Sequence, residues 1–410
     1  MNFKYIRPDI LSKLKDLEEL ELPCQFENWG SKEEDGQRLN ASLDEIESLR
    51  LTTLKISVSK GSNLAVKLVK NLTRFHVCFG SAYYDYSEEC SAVLRLVDVD
   101  AIDVTVSWIS VLLRNCEKLE LNYVRNLMNI MCLQHSAEDG FPQLKYLEVS
   151  FCAEMEYLVE EQISSTFLSH LKTLKLQDMD NLKEIWNFSK IKTQCFTNLF
   201  ELKIVGCGKM KHVFPVSVAR EFRQLKSMSI AFCGELEEII YNDEIYDRDQ
   251  VVASSVQFTP PTIETASTPT MNSNINGKPQ VICPTLNSFA RYLLGREKHP
   301  KIVSTGQIVE DNIARKDENH AIVFPRLKAL SLAYLWKLKD FYDGNHAIEL
   351  PELEVLEIDR CNKMEALSYG SFYTPILKLF EVNNAKYYPT AREDLNAFLK
   401  KTAVLCLAWS

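Results

Sequence analysis

Twelve cysteines and seven histidines are the residues of this 410-residue chain best suited to metal or thiol chemistry, and their spacing decides whether they do any. "MCLQH" sets Cys132 three residues before His135, a spacing a metal could use, but no second pair follows at a zinc-site distance. "HVC" puts His76 and Cys78 on one face of an expected strand, two ligands where a closed zinc site takes four. Both pairs read as structural. Cys152, Cys207, Cys233 and Cys361 fall at one place in a repeating pattern, which makes them ladder residues rather than nucleophiles. Carboxylates for acid–base work cluster at Glu160 and Glu161 and at Glu235, Glu237 and Glu238, all in segments expected on an outer, solvated side. No GxxxxGK[ST], GxSxG, HExxH or GxGxxG is present, and the lone Gly277-Lys278 is followed by Pro279, which removes a backbone donor. The expectation is a protein that is not an enzyme and carries no cofactor and no metal.

The elements that position these residues come from one recurring phrase. "FPQLKYLEVSFCAEMEYL" from Phe141 returns as "FTNLFELKIVGCGKMKHVF" from Phe196, "FRQLKSMSIAFCGELEEII" from Phe222, "FPRLKALSLAYLWKLKDFY" from Phe324 and "LPELEVLEIDRCNKMEAL" from Leu350. Leu144 marks the phase, which continues at Leu171, Leu199 and Leu225 and resumes at Leu327, Leu353 and Leu377. A period in the twenties with LxxLxLxx at its centre is that of a leucine-rich repeat. More degenerate strands are expected at "LEELEL", "LTTLKI", "LTRFHV", "VLRLVD" and "CEKLEL", and "VTVSWISVLLRNC" spaces Val106, Ile109, Leu112 and Leu113 as a helix does. The fold expected is an α/β leucine-rich repeat solenoid. It would be a horseshoe of about twelve coils, with a concave parallel β-sheet and irregular or short helical outer segments.

Three segments follow: repeats over 1–242, a largely disordered insertion over 243–321, and repeats with a terminal cap over 322–410. "VVASSVQFTPPTIETASTPTMNSNINGKPQ" gives the insertion a Ser-, Thr- and Pro-rich composition that buries little, with one short helix expected in "PTLNSFARYLLGREKH". A net charge of −9 argues against nucleic acid as a partner. No apolar run is long enough to span a membrane, and no secretory signal opens the chain, so a cytoplasmic setting with reduced thiols is expected. In that setting the sequons at Asn40, Asn71 and Asn187 are chance matches.

Alternation along each strand sorts the side chains into two faces. In the Leu144 coil, Leu147 and Val149 point to the core and Cys152 turns in after them, leaving Tyr146, Glu148, Ser150 and the following Phe151 on the concave side. The next coils present Thr173, Lys175 and Gln177, then Glu201 and Lys203. Small residues follow, Ser227 and Ser229 beside Phe232, then Ser331 beside Tyr334 with alanines between; Glu357 and Asp359 come next, and the surface ends on Leu379, Glu381 and Asn383. A small-residue floor edged by aromatics and charges suits docking of a protein. The bland alternative is that small residues merely allow tight curvature.

The irregular LxxLxLxxCxxMxxL form, the "FPQLK", "FTNL" and "FPRLK" starts, and the N-terminal "LSKLKDLEELELPCQFENWG" resemble the C-terminal leucine-rich domain of plant intracellular nucleotide-binding disease-resistance proteins of the coiled-coil class. The resemblance implies sensing of a pathogen effector or a guarded host protein. It also implies early coils that face a nucleotide-binding switch domain and later coils that carry recognition. Neither the coiled coil nor the nucleotide-binding domain is in this sequence, so nucleotide binding is not implied for it. The competing class is a leucine-rich scaffold or ubiquitin-ligase substrate adaptor, which would usually bring an F-box ahead of the repeats; none is visible before Leu14.

Overall fold

Each phase-marking leucine is followed two residues later by a strand in the computed structural model: Tyr146–Ser150, Thr173–Gln177, Glu201–Val205, Ser227–Ala231, Ala329–Ala333, Val355–Asp359 and Leu379–Val382. The structure describes residues 5–24, 26, 28–32, 36–81, 90–133, 140–159, 167–187, 196–242, 321–389 and 395–400. The insertion, its short helix, His135, Glu160 and Glu161 lie outside the described residues. Earlier strands run over Glu19–Glu21, Thr53–Val58, Arg74–Gly80, Ala92–Val97 and Lys118–Asn122, within two or three residues of where the degenerate coils placed them.

All these strands join one 13-stranded sheet, stacked in chain order and parallel throughout except at its last member. That last strand, Ala385–Tyr387, turns back antiparallel on Leu379–Val382 through Asn383 and Asn384, both at positive φ, the pair of left-handed residues a tight hairpin turn needs. Ser227–Ala231 and Ala329–Ala333, about a hundred residues apart in the chain, pair directly and in parallel register.

Register explains why the phrase recurs. Leu147, Leu174, Leu202, Met228, Leu330, Leu356 and Phe380 stand side by side across seven strands, and all are buried. Burying such a side chain is worth about 1.5–3 kcal/mol, and here it is the neighbouring coil that supplies the burial. Aromatics ahead of the strands form a second spine: Phe141 meets Phe167 of the next coil edge-on at 5.5 Å, and Phe222 stacks on Phe324 at 6.3 Å. The anticipated helix runs over Ser107–Asn115 and buries Trp108, Ile109, Leu112 and Leu113.

The outer segments of the later coils depart from the expectation of irregular or helical structure. His212–Pro215, Glu238–Tyr241, Asp340–Tyr342 and Ala366–Ser368 form a four-stranded parallel sheet of their own, and Ile322–Val323, Ile348–Glu349 and Phe372–Tyr373 form another of three. Runs such as "HVFP", "EIIY" and "DFY" are rich in aromatic and β-branched residues and too short to nucleate a helix, so ladder pairing with the next coil is the better solution.

Candidate protein-docking face

The strand candidates read from the sequence lie on the face of the large sheet opposite the core, with one correction, while Phe151, Phe232 and Tyr334 follow the strand ends. Tyr146, Glu148 and Ser150 are half-buried while Leu147 and Val149 between them are buried; the alternation repeats at half-buried Glu201, Ser227, Ser229, Ser331 and Asp359 and at exposed Lys203 and Glu357. Lys175 is half-buried and Gln177 exposed, but Thr173 is buried. Its register neighbours are the longer Tyr146 and Glu201, between which a threonine methyl and hydroxyl sit below the surface.

Serines and alanines occupy this face over two adjoining strands: Ser227 beside Ala329, Ser229 beside Ser331, Ala231 beside Ala333. Toward the N-terminal coils the face is charged instead. Arg95 pairs with Glu120 at 2.6 Å, Lys118 bridges Glu120 at 2.6 Å and Glu148 at 3.6 Å, and Lys175 reaches Glu148 at 3.1 Å, so one chain of opposite charges crosses four strands. Arg95 and Lys118 are buried, and such pairing is what makes buried charge tolerable.

Beyond the strand ends runs a feature that alternation alone does not show. The residue after the strand is left-handed in coil after coil: Asp98, Tyr123, Phe151, Asp178, Gly206, Phe232, Tyr334, Arg360 and Asn383 all have φ between 47° and 71°. A non-glycine residue there carries roughly 1–2 kcal/mol of strain. Phe151 N–H donates to the Gln177 carbonyl, Asp178 to Val205, Gly206 to Ala231, Phe232 to Ala333 and Tyr334 to Asp359, so each offset is tied to the next coil. This backbone lifts the side chains into a ridge. Tyr123 and Phe151 stack with centroids 4.5 Å apart and rings within 4° of parallel. Phe232 and Tyr334 stack at 4.4 Å, the Arg360 guanidinium lies 5.0 Å from the Tyr334 ring, and Trp336 meets Tyr334 edge-on. Phe232, Trp336 and Tyr123 are about half exposed. Phe151, Phe232 and Tyr334 were legible in the sequence as followers of strands. Tyr123 and Arg360 hold the same place and were missed, although counting one residue past every strand would have found them.

The thiols have structural roles. Cys152, Cys207, Cys233 and Cys361 are buried, and their Sγ atoms lie 3.4–3.8 Å from the carbonyls of Ser150, Val205, Ala231 and Asp359. Burial pushes the thiols of Cys152 and Cys361 up to about 12, far from a reactive thiolate. His76 Nε2 lies 2.8 Å from the Cys90 carbonyl, Cys78 bonds the Ser81 carbonyl, and the Cys132 Sγ lies 3.6 Å from Asn129 Oδ1. Asn40 is buried and accepts a hydrogen bond from the Ile6 amide, so its sequon sits at a structural cap.

The outer carboxylates correct another expectation. Glu235 and Glu237 face lysines of the next coil, Lys337 and Lys339, as a solvated surface would. Glu238 does not: it is half-buried on an outer strand, level with Asp340, and burial followed by the nearby Asp343 and Asp340 holds its carboxyl above the usual range.

An in-register parallel stack with one leucine-led coil per strand defines a leucine-rich repeat solenoid, a class of repeat built for protein interaction. Residues 102–234 match the family model described as plant disease resistance protein RPS2-like, leucine-rich repeats. The chain is also similar to a disease resistance protein of Arabidopsis thaliana, 24% identical over 253 residues that cover 58% of this chain and 25% of the relative. A probable disease resistance protein of the same plant is 25% identical over 239 residues, covering 55% of this chain and 25% of that protein. The chain thus spans about a quarter of the length of these relatives. Among the described residues no helix is long and apolar enough to cross a membrane.

Proposed function

We propose that this chain is a non-enzymatic recognition module in plant defence, which binds a pathogen effector or a guarded host protein through the concave face of a horseshoe-shaped solenoid in the cytoplasm. One observation carries the reading: a level Ser/Ala floor at Ser229 and Ser331 lies beside a ridge in which half-exposed Phe232 stacks on Tyr334 and half-exposed Trp336 meets Tyr334 edge-on. Aromatic and arginine side chains around a small-residue floor are what a protein interface concentrates at its centre. Similarity to two proteins named for disease resistance supports the defence setting. The N-terminal coils, with their internally neutralised charge chain, are the part that would meet a switch domain in a longer receptor.

Ser229→Arg combined with Ser331→Arg tests the face. Each position is half-buried on the face opposite the core, so both new side chains project away from the buried leucines. The double variant should lose a partner captured by the parent while keeping its circular dichroism and melting temperature. Undiminished affinity of such a partner for a folded double variant would rule out this face.

A further inference from the structure

We propose that the ridge beyond the strand ends holds a slot for a guanidinium group, supplied by an arginine side chain of the protein partner, at the coil of Gly206. The slot rests on the docking reading above and names the chemistry of one of its contacts.

The ridge is a stack with one place empty of a side chain. Phe232, Tyr334 and Arg360 occupy three consecutive coils, the rings 4.4 Å apart and the guanidinium 5.0 Å from the second ring. On the other side, Tyr123 and Phe151 stack in the same manner. Between the two groups stand only Asp178 and Gly206. Gly206 has no side chain to cover Phe232, and Phe232 remains 52% exposed although Tyr334 packs on it. Coils are spaced at about 4.8 Å, so Phe151 and Phe232, three coils apart, bound a gap of roughly 14–15 Å. A flat group in the Gly206 coil would lie against Phe232 at the same spacing that Arg360 and Tyr334 already show.

The charge in the gap is negative and unmatched. A β-carbon on Gly206 would come within 2.2 Å of Asp178 Oδ1, so the Asp178 carboxylate leans over the glycine. Its Oδ2 accepts a hydrogen bond from Gln177 Nε2 at 3.0 Å, and no cation pairs with it among the described residues. Asp98, on the same ridge, is held by Arg125 at 2.5 Å and Lys60 at 3.2 Å. Asp178 is therefore the ridge acid left for a cation from outside. A guanidinium is planar, stacks on an aromatic face and forks onto a carboxylate; an ammonium does only the last, and as a point charge.

Saturation-transfer NMR titrations with acetyl-arginine amide and acetyl-lysine amide test the slot without the partner in hand. The parent protein should bind the arginine probe in the millimolar range and the lysine probe at least ~3-fold more weakly. Asp178→Asn and Phe232→Leu, both outside the core, should each weaken arginine binding about fivefold, with the folded circular dichroism spectrum retained. Equal binding of the arginine probe by parent and both folded variants would overturn the proposal, as would equal binding of the two probes by the parent. Neither result touches the concave docking reading, which stands or falls on partner capture by the Ser229 and Ser331 double variant.

Discussion

Replacing Asp340 with asparagine should stabilise the protein at neutral pH and leave it unchanged near pH 4. Asp340 opens the outer strand Asp340–Tyr342, level with Glu238 on one side and Ala366 on the other. It is 4% exposed, its Oδ1 has no hydrogen-bond partner, and its carboxyl is pushed up to about 6 from the ordinary 3.8. Burial is the main cause, followed by the negative charges of Asp343 and Glu365; a hydrogen bond from Tyr369 and the nearby Lys339 pull the other way. The folded state holds a proton that the unfolded chain has released, so stability falls as pH rises from about 4 to about 6 and stays lower above. The full shift corresponds to about 3 kcal/mol at roughly 1.4 kcal/mol per unit, and solvent screening at this outer strand reduces that to about 1–2 kcal/mol. Asparagine keeps an acceptor for Tyr369 and carries no charge to desolvate. Urea unfolding of parent and variant at both pH values measures the gain, and exchange of the Phe341 and Tyr342 amides checks it locally, since repeat arrays open coil by coil. A variant less stable than the parent at pH 7, or equally stabilised at both pH values, would refute the electrostatic account.

Other outcomes follow from the same contacts. Leu202→Ala removes a fully interior rung and should cost about 2–5 kcal/mol, read as a drop in urea midpoint. Lys118→Met leaves Glu120 to Arg95 alone and Glu148 to Lys175; the expected loss is about 2–3 kcal/mol, below the ~3–5 kcal/mol of a fully orphaned buried charge, and it should persist in high salt. Cys152 and Cys361 should resist iodoacetamide at pH 8 in the folded protein and react once urea is added, with site-resolved mass spectrometry as the readout.

Much of this architecture was legible because a leucine-rich coil repeats its signal. Leu144, Leu171 and their successors located strands two residues downstream, and the phase recurrence of Cys152 separated scaffold from chemistry. Three things escaped for physical reasons. The outer strands are three or four residues long, below the length at which alternation can be told from a turn, and only pairing with the next coil makes them strands. Thr173 lies low because its cross-strand neighbours are long, a property of register rather than of its own coil. The ridge was seen in part, at Phe151, Phe232 and Tyr334, because two-residue alternation stops where the backbone turns left-handed.

That left-handed turn separates form from content. From Asp98 to Tyr334 the hydrogen bonds that hold it run from backbone to backbone, so they are indifferent to what is attached, whereas the Arg360 amide donates to the Asn383 side chain; aspartate, tyrosine, phenylalanine, glycine, arginine and asparagine all occupy it in this one chain. A change there alters one letter of the outward text at a fixed address, about 4.8 Å from the next, without respelling the core. Lineages of such coils can therefore revise what they read one position at a time, and exchange of one non-glycine residue for another leaves the strain of roughly 1–2 kcal/mol much as it was while changing what is presented outward.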